Sequence, residues 1–175
     1  MKRLCLILCS TIILSVMPIQ AQSTNTAPAI GIGAYGNVGW GSLGWTAVPG
    51  LSFVVGSFPI GFSIGFQNGY AEYALSADWL AFKFPFVKKD ALSVSGYLGP
   101  GLYGALAIDP SGMNYGVGIR AVAGCQAVFE KTWQVFASIV PAFGIISSNT
   151  SSGTPPALNA NADVEIGVRY LINAR

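Results

Sequence analysis

Histidine is absent from this 175-residue chain, and charged residues of either sign are scarce at 9%. A typical soluble domain carries about 25% charged residues, so the sequence has little material for a water-facing surface. Without histidine, the chain lacks the usual general base of serine hydrolases and the commonest metal ligand. We therefore expect no enzyme activity, no metal site and no cofactor.

Long apolar runs are also scarce, because only the first residues carry one. Residues 1–21 begin with Lys2 and Arg3, continue with an apolar run and end on the small residue Ala21, which is the order found in a secretory signal peptide. We predict a cleaved signal peptide over 1–21 and a single domain over 22–175. Beyond residue 21 no stretch reaches the roughly 18 uninterrupted apolar residues that a membrane-spanning helix needs.

The number of cysteines and the net charge further limit the classes of protein to which the chain can belong. Cys5 and Cys9 fall in the predicted signal peptide, so Cys125 remains alone and no disulfide is expected within the exported domain. Loss of Lys2 and Arg3 leaves seven basic and seven acidic residues, which predicts no binding of nucleic acid. An exported chain that is 52% hydrophobic and has no helical span is expected to form a closed β-barrel, because such a barrel also satisfies its backbone hydrogen bonds within a membrane.

What the sequence does contain is a repeated alternation of apolar with small or polar residues. In IGIGAYGNVGW, which spans 30–40, Ile30, Ile32 and Val38 share one face while the odd-numbered glycines and Asn37 share the other. Successive side chains of a β-strand point to opposite faces, so this period predicts strands. Eight such segments lie near 29–40, 47–57, 59–68, 71–84, 91–105, 113–125, 132–145 and 157–172. The predicted fold is all-β, an eight-stranded antiparallel up-and-down transmembrane β-barrel.

The fourth segment changes the phase of its alternation. Tyr73, Leu75 and Trp79 share one face, but the large residues Leu80 and Phe82 then fall on the opposite parity. One extra residue in a strand shifts the phase by one position, so we predict a β-bulge near Trp79.

Two enzyme-like motifs occur in the chain, and the strand pattern explains both. The glycines of 31–36 spell G-x-G-x-x-G, but a dinucleotide site needs a following helix and an acidic residue about 20 positions on. Here the alternation continues, and the next carboxylate is Glu72. Residues 61–65 spell G-x-S-x-G around Ser63, but a serine nucleophile normally needs a histidine base. Neither motif predicts a catalytic site.

Alternation alone does not tell whether the apolar face points to lipid or to an internal cavity. The other face is mostly Gly, Ser, Asn and Ala with isolated charges, too few for a water-facing surface. It suits a narrow lumen, because eight strands leave an interior that side chains can fill. We therefore expect the apolar face to contact lipid. A soluble periplasmic lipocalin-like binder of an apolar ligand is the alternative, with the apolar face inside.

Aromatic residues cluster near the predicted strand ends, as expected at the two membrane–water interfaces. The predicted girdles comprise Trp40, Trp45, Tyr70, Tyr73, Tyr103 and Tyr115 at one rim, and Phe84, Phe86, Trp133 and Tyr170 at the other. Charged connections around 88–90 and 130–131 accompany the second rim, which we assign to the periplasmic side. A general preference of aromatic residues for strands is the alternative explanation.

The last predicted strand carries a more specific pattern. In EIGVRYLI, residues 165–172, the polar Glu165, Gly167, the aromatic Tyr170 and Ile172 have the spacing of the terminal assembly signal of bacterial outer-membrane barrels. The chain thus resembles the small eight-stranded outer-membrane proteins of the OmpA, OmpX and OmpW kind, although that family usually ends on an aromatic residue. This resemblance implies a location in the cell outer membrane, contact with its lipids and insertion by the barrel-assembly machinery. It implies no substrate, because the fold hosts several functions.

Charged residues on the predicted inner face are Glu72, Asp78, Arg120, Asp163, Glu165 and Arg169. Charges in a narrow interior are costly unless they are paired, so we predict ion pairs of Arg120 or Arg169 with Asp78 or Glu165. Such pairs would either lock a filled barrel as a polar plug or gate a small channel. The plug is favoured, because eight-stranded interiors tend to be filled.

The function expected from the sequence is non-enzymatic, a structural or surface-interaction role with a largely filled polar lumen. The alternative within the membrane is a narrow porin-like channel for small or hydrophobic solutes. The connection over 147–156 is the longest and is rich in Ser, Thr, Gly and Pro. Because exposed loops often carry binding residues, an extracellular ligand is expected to bind there.

Overall fold

The computed structural model describes residues 30–41, 44–67, 70–109, 112–149 and 156–172. The predicted signal peptide lies outside the described residues. The strands within them are β1 Ile30–Gly41, β2 Gly44–Val55, β3 Phe58–Gln67, β4 Tyr70–Asp78, β5 Phe82–Lys88, β6 Leu92–Asp109, β7 Gly112–Phe129, β8 Trp133–Asn149 and β9 Ala157–Ile172. No helix long and apolar enough to cross a membrane occurs in this part of the chain.

These strands form one antiparallel sheet that closes on itself. Strands that follow one another in sequence pair with each other, apart from β4 and β5, which both pair with β6. Pairing of β1 with β9 joins the first and the last described strand. Because β4 and β5 occupy one position in the sheet, the nine strands make eight positions. The predicted eight-stranded up-and-down barrel is confirmed.

Three strands are longer than the alternation predicted. β6, β7 and β8 continue to Asp109, Phe129 and Asn149, whereas the predicted segments end at 105, 125 and 145. Among the additional residues, the two faces of each strand differ little in hydrophobicity, so the alternation with a period of two is absent there. The backbone pairing continues nevertheless, because the neighbouring strands are equally long.

The barrel has two distinct ends. The turn end holds the start of β1, the end of β9 and the connections at 56–57, 89–91 and 130–132. The loop end holds the end of β1, the start of β9 and the strand ends at Gln67, Asp109 and Asn149. Glu130 and Lys131 have φ angles of 49° and 57°, as a type I′ hairpin turn requires. The charged connections assigned to one rim therefore share the turn end with both ends of the described barrel.

Side chains alternate between the inside and the outside of the barrel. Large apolar side chains cover the outside, where Ile32, Val117 and Phe143 are 48%, 62% and 61% exposed. Buried side chains include Ser, Gln, Asp, Glu and Arg, together with an apolar cluster whose most buried member is Val140. The apolar face points outward, which is opposite to a lipocalin-like barrel.

The break between β4 and β5 has a local cause in the neighbouring strand. Pro100 of β6 has no N–H and cannot donate a ladder hydrogen bond. Trp79 N donates to Pro100 O at 2.8 Å, and Trp79 O accepts from Ala81 N at 2.8 Å within its own chain segment. Gly99 permits this approach, because a Cβ there would collide with Trp79 O. The irregularity predicted near Trp79 is confirmed, but Leu80 is buried, so the phase changes after Leu80 rather than before it.

β5 pairs with a strand on one side only among the described residues. The β2–β3 hairpin turns at 56–57, and Leu80 N donates to its carbonyl at Ser57, so the hairpin ends where β5 begins. The free edge of β5 carries Pro85, a register shift directly after it, and the exposed Lys83. Proline, bulges and lysine are the usual means of preventing edge-to-edge aggregation of strands.

Candidate functional site in the barrel interior

The most strongly bonded group inside the barrel centres on Arg120 of β7. Its Nε lies 2.7 Å from Asp78 Oδ1, and its Nη2 lies 2.8 Å from Asp78 Oδ2. The same Nη2 donates to Glu165 Oε1 at 2.9 Å. All three side chains are more than nine-tenths buried. The ion pair predicted for Arg120 is present, and it involves both carboxylates; we call these three residues the Arg120 triad.

The Arg120 triad joins opposite walls of the barrel. Asp78 lies on β4 and Glu165 lies on β9, with three strand positions between them in either direction around the barrel. Arg120 projects from β7, the middle one of the three strands on one side. Charge-assisted hydrogen bonds are roughly twice as strong as neutral ones. The triad is therefore a cross-link through the lumen at this level.

Arg169 forms a second polar group nearer the turn end, without a carboxylate partner among the described residues. Its Nε donates to Ser52 Oγ at 2.8 Å, and its Nη1 donates to Gln134 Oε1 at 3.2 Å. Gln134 in turn donates to Gln126 Oε1 at 2.7 Å. The guanidinium carbon lies 3.8 Å from the ring centre of Phe136, a cation–π contact. Neutral acceptors and an aromatic ring thus hold this buried charge.

Aromatic rings inside the barrel lie against glycines of neighbouring strands. The pairs are Tyr35 with Gly50 and Gly61, Tyr97 with Gly124, Tyr103 with Gly118 and Gly144, and Phe136 with Gly167. A Cβ at any of these glycines would collide with the ring or its hydroxyl oxygen, and such ring-on-glycine packing stabilises strands that glycine would weaken. Tyr97 Oη also shares a hydrogen bond of 2.6 Å with Ser138 Oγ. The glycines that the sequence pattern placed inside therefore mark surfaces covered by rings.

The other two acidic residues lie in the loop-end half of the interior. Asp163 Oδ2 accepts a hydrogen bond of 3.3 Å from Asn37 Nδ2, and Glu72 is near enough to Asp163 for their carboxylates to repel each other. Neither carboxylate forms an ion pair within the described chain. The buried Oδ1 atoms of Asn37 and Asn161 have no hydrogen-bond partner there either. This half of the interior is less completely bonded than the half around the Arg120 triad.

Most of the predicted girdle residues lie on the outer face. Those exposed on the outside are Trp40, Tyr115, Phe84, Phe86, Trp133 and Tyr170, and Tyr73 is partly exposed. Trp133 and Tyr170 pack edge to face with ring centres 5.3 Å apart. The assignment of Tyr103 to a girdle is wrong, because β6 places its odd-numbered residues inside and Tyr103 packs on Gly118. The side chains of Trp45 and Tyr70 lie outside the described ones.

The residues of the predicted assembly signal alternate between the two faces. Glu165 and Gly167 point inward, whereas Tyr170 and Ile172 are exposed on the outside. Residues 150–155 of the predicted ligand-binding connection lie outside the described part of the chain. Both enzyme-like motifs lie within strands, and Ser63 is buried in the interior.

The uncharged residues that contact the buried charges or pack between them in the interior were not identified from the sequence. They are Tyr35, Ser52, Tyr97, Gln134, Phe136 and Ser138, and each occupies an inward position of its strand. The alternation with a period of two predicts that these side chains point inward. It does not predict which residues they contact, because most of these contacts join strands that are far apart in sequence.

No known protein family matches this chain, and no curated protein sequence matches it. Solved structures that are similar to it include the following three outer-membrane proteins. Neisserial surface protein A (NspA) is 11% identical over 83% of this chain and 97% of that one, with a TM-score of 0.50. Ail, the attachment invasion locus protein of Yersinia pestis, is 14% identical over 83% and 97% with a TM-score of 0.40, and a major outer membrane protein from Thermus thermophilus is 11% identical over 83% and 100% with a TM-score of 0.46. At this identity the likeness to NspA concerns the fold alone.

Proposed function

We propose that this chain is an integral protein of the cell outer membrane with a closed polar lumen and a structural or surface-interaction role, without catalysis. The observation that carries the proposal is the Arg120 triad, which links opposite walls of the barrel through buried side chains. The Arg169 group and the inward aromatic rings occupy further levels of the same lumen. A surface partner would bind at the loop end, where the connection over 147–156 lies.

Three features support the location in the outer membrane. The outside of the barrel is covered by large apolar side chains, which suits lipid rather than water. The signal peptide predicted over 1–21 supports export, and the pattern over 165–172 supports insertion by the barrel-assembly machinery. We expect the protein to stay in the membrane fraction until detergent is added and to migrate differently on a gel before and after heating. Release without detergent would contradict the location.

Conductance of the refolded protein in planar bilayers tests the closed lumen. The unmodified barrel is expected to show no steady single-channel steps. A variant with D78S, R120S and E165S removes the cross-link and is expected to conduct, provided that its heat-dependent migration shows a folded barrel. Lys131→Ala, at an exposed position on the turn end, is the control and should stay closed. Steady conductance of the unmodified barrel would contradict the proposal.

A narrow channel is the second candidate, and the loop-end half of the interior favours it. The unpartnered Oδ1 atoms of Asn37 and Asn161 and the carboxylates of Glu72 and Asp163 would attract water and cations from that side. If this candidate holds, the conductance is expected to be cation-selective and to lose selectivity in the E72Q/D163N variant. The reversal potential in a salt gradient measures this.

A further inference from the structure

The loop-end half of the lumen carries more negative than positive charge. From the Arg120 triad to this end, the described interior side chains include four carboxylates and one guanidinium. The triad accounts for the guanidinium and two of the carboxylates. The other two belong to Glu72 and Asp163, which lie near enough to repel each other. Repulsion is strong in a poorly solvated interior, so a positive ion between these two carboxylates would stabilise the barrel.

Oxygen atoms from three strands surround the Asp163 carboxylate of β9. A Cβ at Gly39 of β1 would collide with Asp163 Oδ1 and would lie 3.1 Å from Thr46 Oγ1 of β2, so these two oxygens lie over the same point of the wall. Asp163 Oδ2 accepts a hydrogen bond from Asn37 Nδ2 at 3.3 Å, and Asn37 Oδ1 belongs to the same amide group. Asn161 precedes Asp163 by two residues on β9, so its side chain points to the same face.

Two amide oxygens beside this carboxylate are buried and lack a hydrogen-bond donor. The Oδ1 atoms of Asn37 and Asn161 have almost no accessible surface and no partner within the described chain. A buried carbonyl oxygen without a partner is costly and rare. As whole residues, Asn37, Asn161, Glu72 and Asp163 are only partly buried. The place between them is thus accessible from the loop end, and an ion bound there would satisfy both amide oxygens.

The types of donor select the class of cation. Carboxylate, amide and hydroxyl oxygens are the ligands of calcium, which accepts about six to eight oxygens in a flexible geometry, whereas magnesium requires a near-ideal octahedron. No three Asp, Glu, Cys or His side chains lie together in the part of the chain that the structure describes, so the amide oxygens are needed to complete the ligands. The expectation of no metal site followed from the absence of histidine, which calcium does not use.

We propose that the loop-end half of the lumen binds one Ca²⁺ ion. The carboxylates of Glu72 and Asp163 balance its charge, the Oδ1 atoms of Asn37 and Asn161 are further ligands, and water completes the coordination. The ion links β4 with β1 and β9, as the Arg120 triad links β4, β7 and β9 at its own level. The inference goes beyond the proposed function, because it requires the barrel but not its location.

A calcium titration of the refolded barrel, followed by NMR in a zwitterionic detergent, tests the site. The side-chain amide signals of Asn37 and Asn161 are expected to shift together, with one ion bound per barrel. The dissociation constant should be about 0.1–1 mM, as in extracellular calcium modules, and Mg²⁺ should bind at least about tenfold more weakly. Unshifted amide signals at about 10 mM Ca²⁺, or equal affinities for the two ions, overturn the proposal.

Matched variants separate a built site from a general attraction of cations. E72Q/D163N is expected to weaken calcium binding at least about tenfold, whereas D90N/E130Q removes the same charge from exposed positions at the turn end and should retain the affinity. N161A keeps every charge and removes one proposed ligand, so it is expected to weaken binding about tenfold. An unchanged affinity in N161A, or an equal loss in D90N/E130Q and E72Q/D163N, overturns the proposal.

Heat-dependent migration on the same samples shows which variants fold. If E72Q/D163N does not fold, N161A and the titration of the unmodified barrel decide. A folded barrel that binds no Ca²⁺ contradicts the calcium site alone and leaves the closed lumen standing. Steady conductance of the unmodified barrel contradicts the closed lumen, whether or not calcium binds.

Discussion

At the scale of single residues, the interior shows two ways of holding a buried charge. Arg120 is bonded to two carboxylates, so each member of the triad depends on the others. Arg169 relies on Ser52, Gln134 and the ring of Phe136. Removal of one member of a buried ion group is far more costly than removal of the whole group. A single substitution in the triad should therefore lower the free energy of unfolding more than the removal of all three charges does.

Arg120→Ala is expected to lower the free energy of unfolding by about 3–5 kcal/mol, because it leaves two buried carboxylates without a partner. The combined variant D78N/R120M/E165Q, which removes every charge of the triad, should lose less stability than Arg120→Ala alone. Urea unfolding of the refolded barrel in vesicles measures both. Lys131→Ala is the control, and a loss for Arg120→Ala no larger than that of the control would show that the triad does not hold the barrel together.

Tyr97→Phe removes one hydroxyl and keeps the ring against Gly124. It is expected to lower the free energy of unfolding by about 1 kcal/mol, because Ser138 loses its 2.6 Å hydrogen bond. Tyr115→Phe makes the same change at an exposed position on the outer face and should change stability much less. Equal effects of the two substitutions in the same urea titration would argue against this interior bond.

At the scale of strands, the irregular pairing around β4 and β5 follows from one residue in β6. Pro100 cannot donate to the ladder, and Trp79 O is satisfied by Ala81 N instead. The sequence predicted an irregularity here because the alternation changes phase, and that prediction is confirmed. It did not predict the cause, because the proline lies on a different strand and becomes relevant only after the register of β4 with β6 is known.

Gly99→Ala tests this explanation. The added Cβ would collide with Trp79 O, so the change is expected to lower the free energy of unfolding by about 1–3 kcal/mol through overpacking. Gly36→Ala is a matched control in β1, because no atom lies within 4 Å of the Cβ that it would add. Unfolding in urea compares the two variants. A Gly99→Ala barrel as stable as Gly36→Ala would show that Trp79 can move without cost.

At the scale of the whole molecule, the fold was predictable and the details of the interior were predictable only in part. The alternation along each strand predicted the eight positions of the barrel and the outward direction of the large apolar side chains, because both depend on local sequence. Parity also placed Asp78, Arg120 and Glu165 inside, but Arg120 meets partners 42 and 45 residues away. Tyr103 was misplaced, because nearness to a strand end was given more weight than parity. Partner choice depends on the stagger of the closed barrel, which no local pattern contains.

The outward orientation of the apolar side chains is the central claim, because the closed polar lumen and the proposed membrane location both depend on it. Cys125 is exposed on the outer face of β7. In the predicted domain over 22–175, which lacks Cys5 and Cys9, a nitroxide attached to Cys125 therefore reports the surroundings of that face. In refolded, vesicle-embedded barrels we expect oxygen, which dissolves in lipid, to relax the nitroxide strongly and a water-soluble nickel complex to relax it weakly. Strong relaxation by the nickel complex with little effect of oxygen would place this face in water and contradict the account.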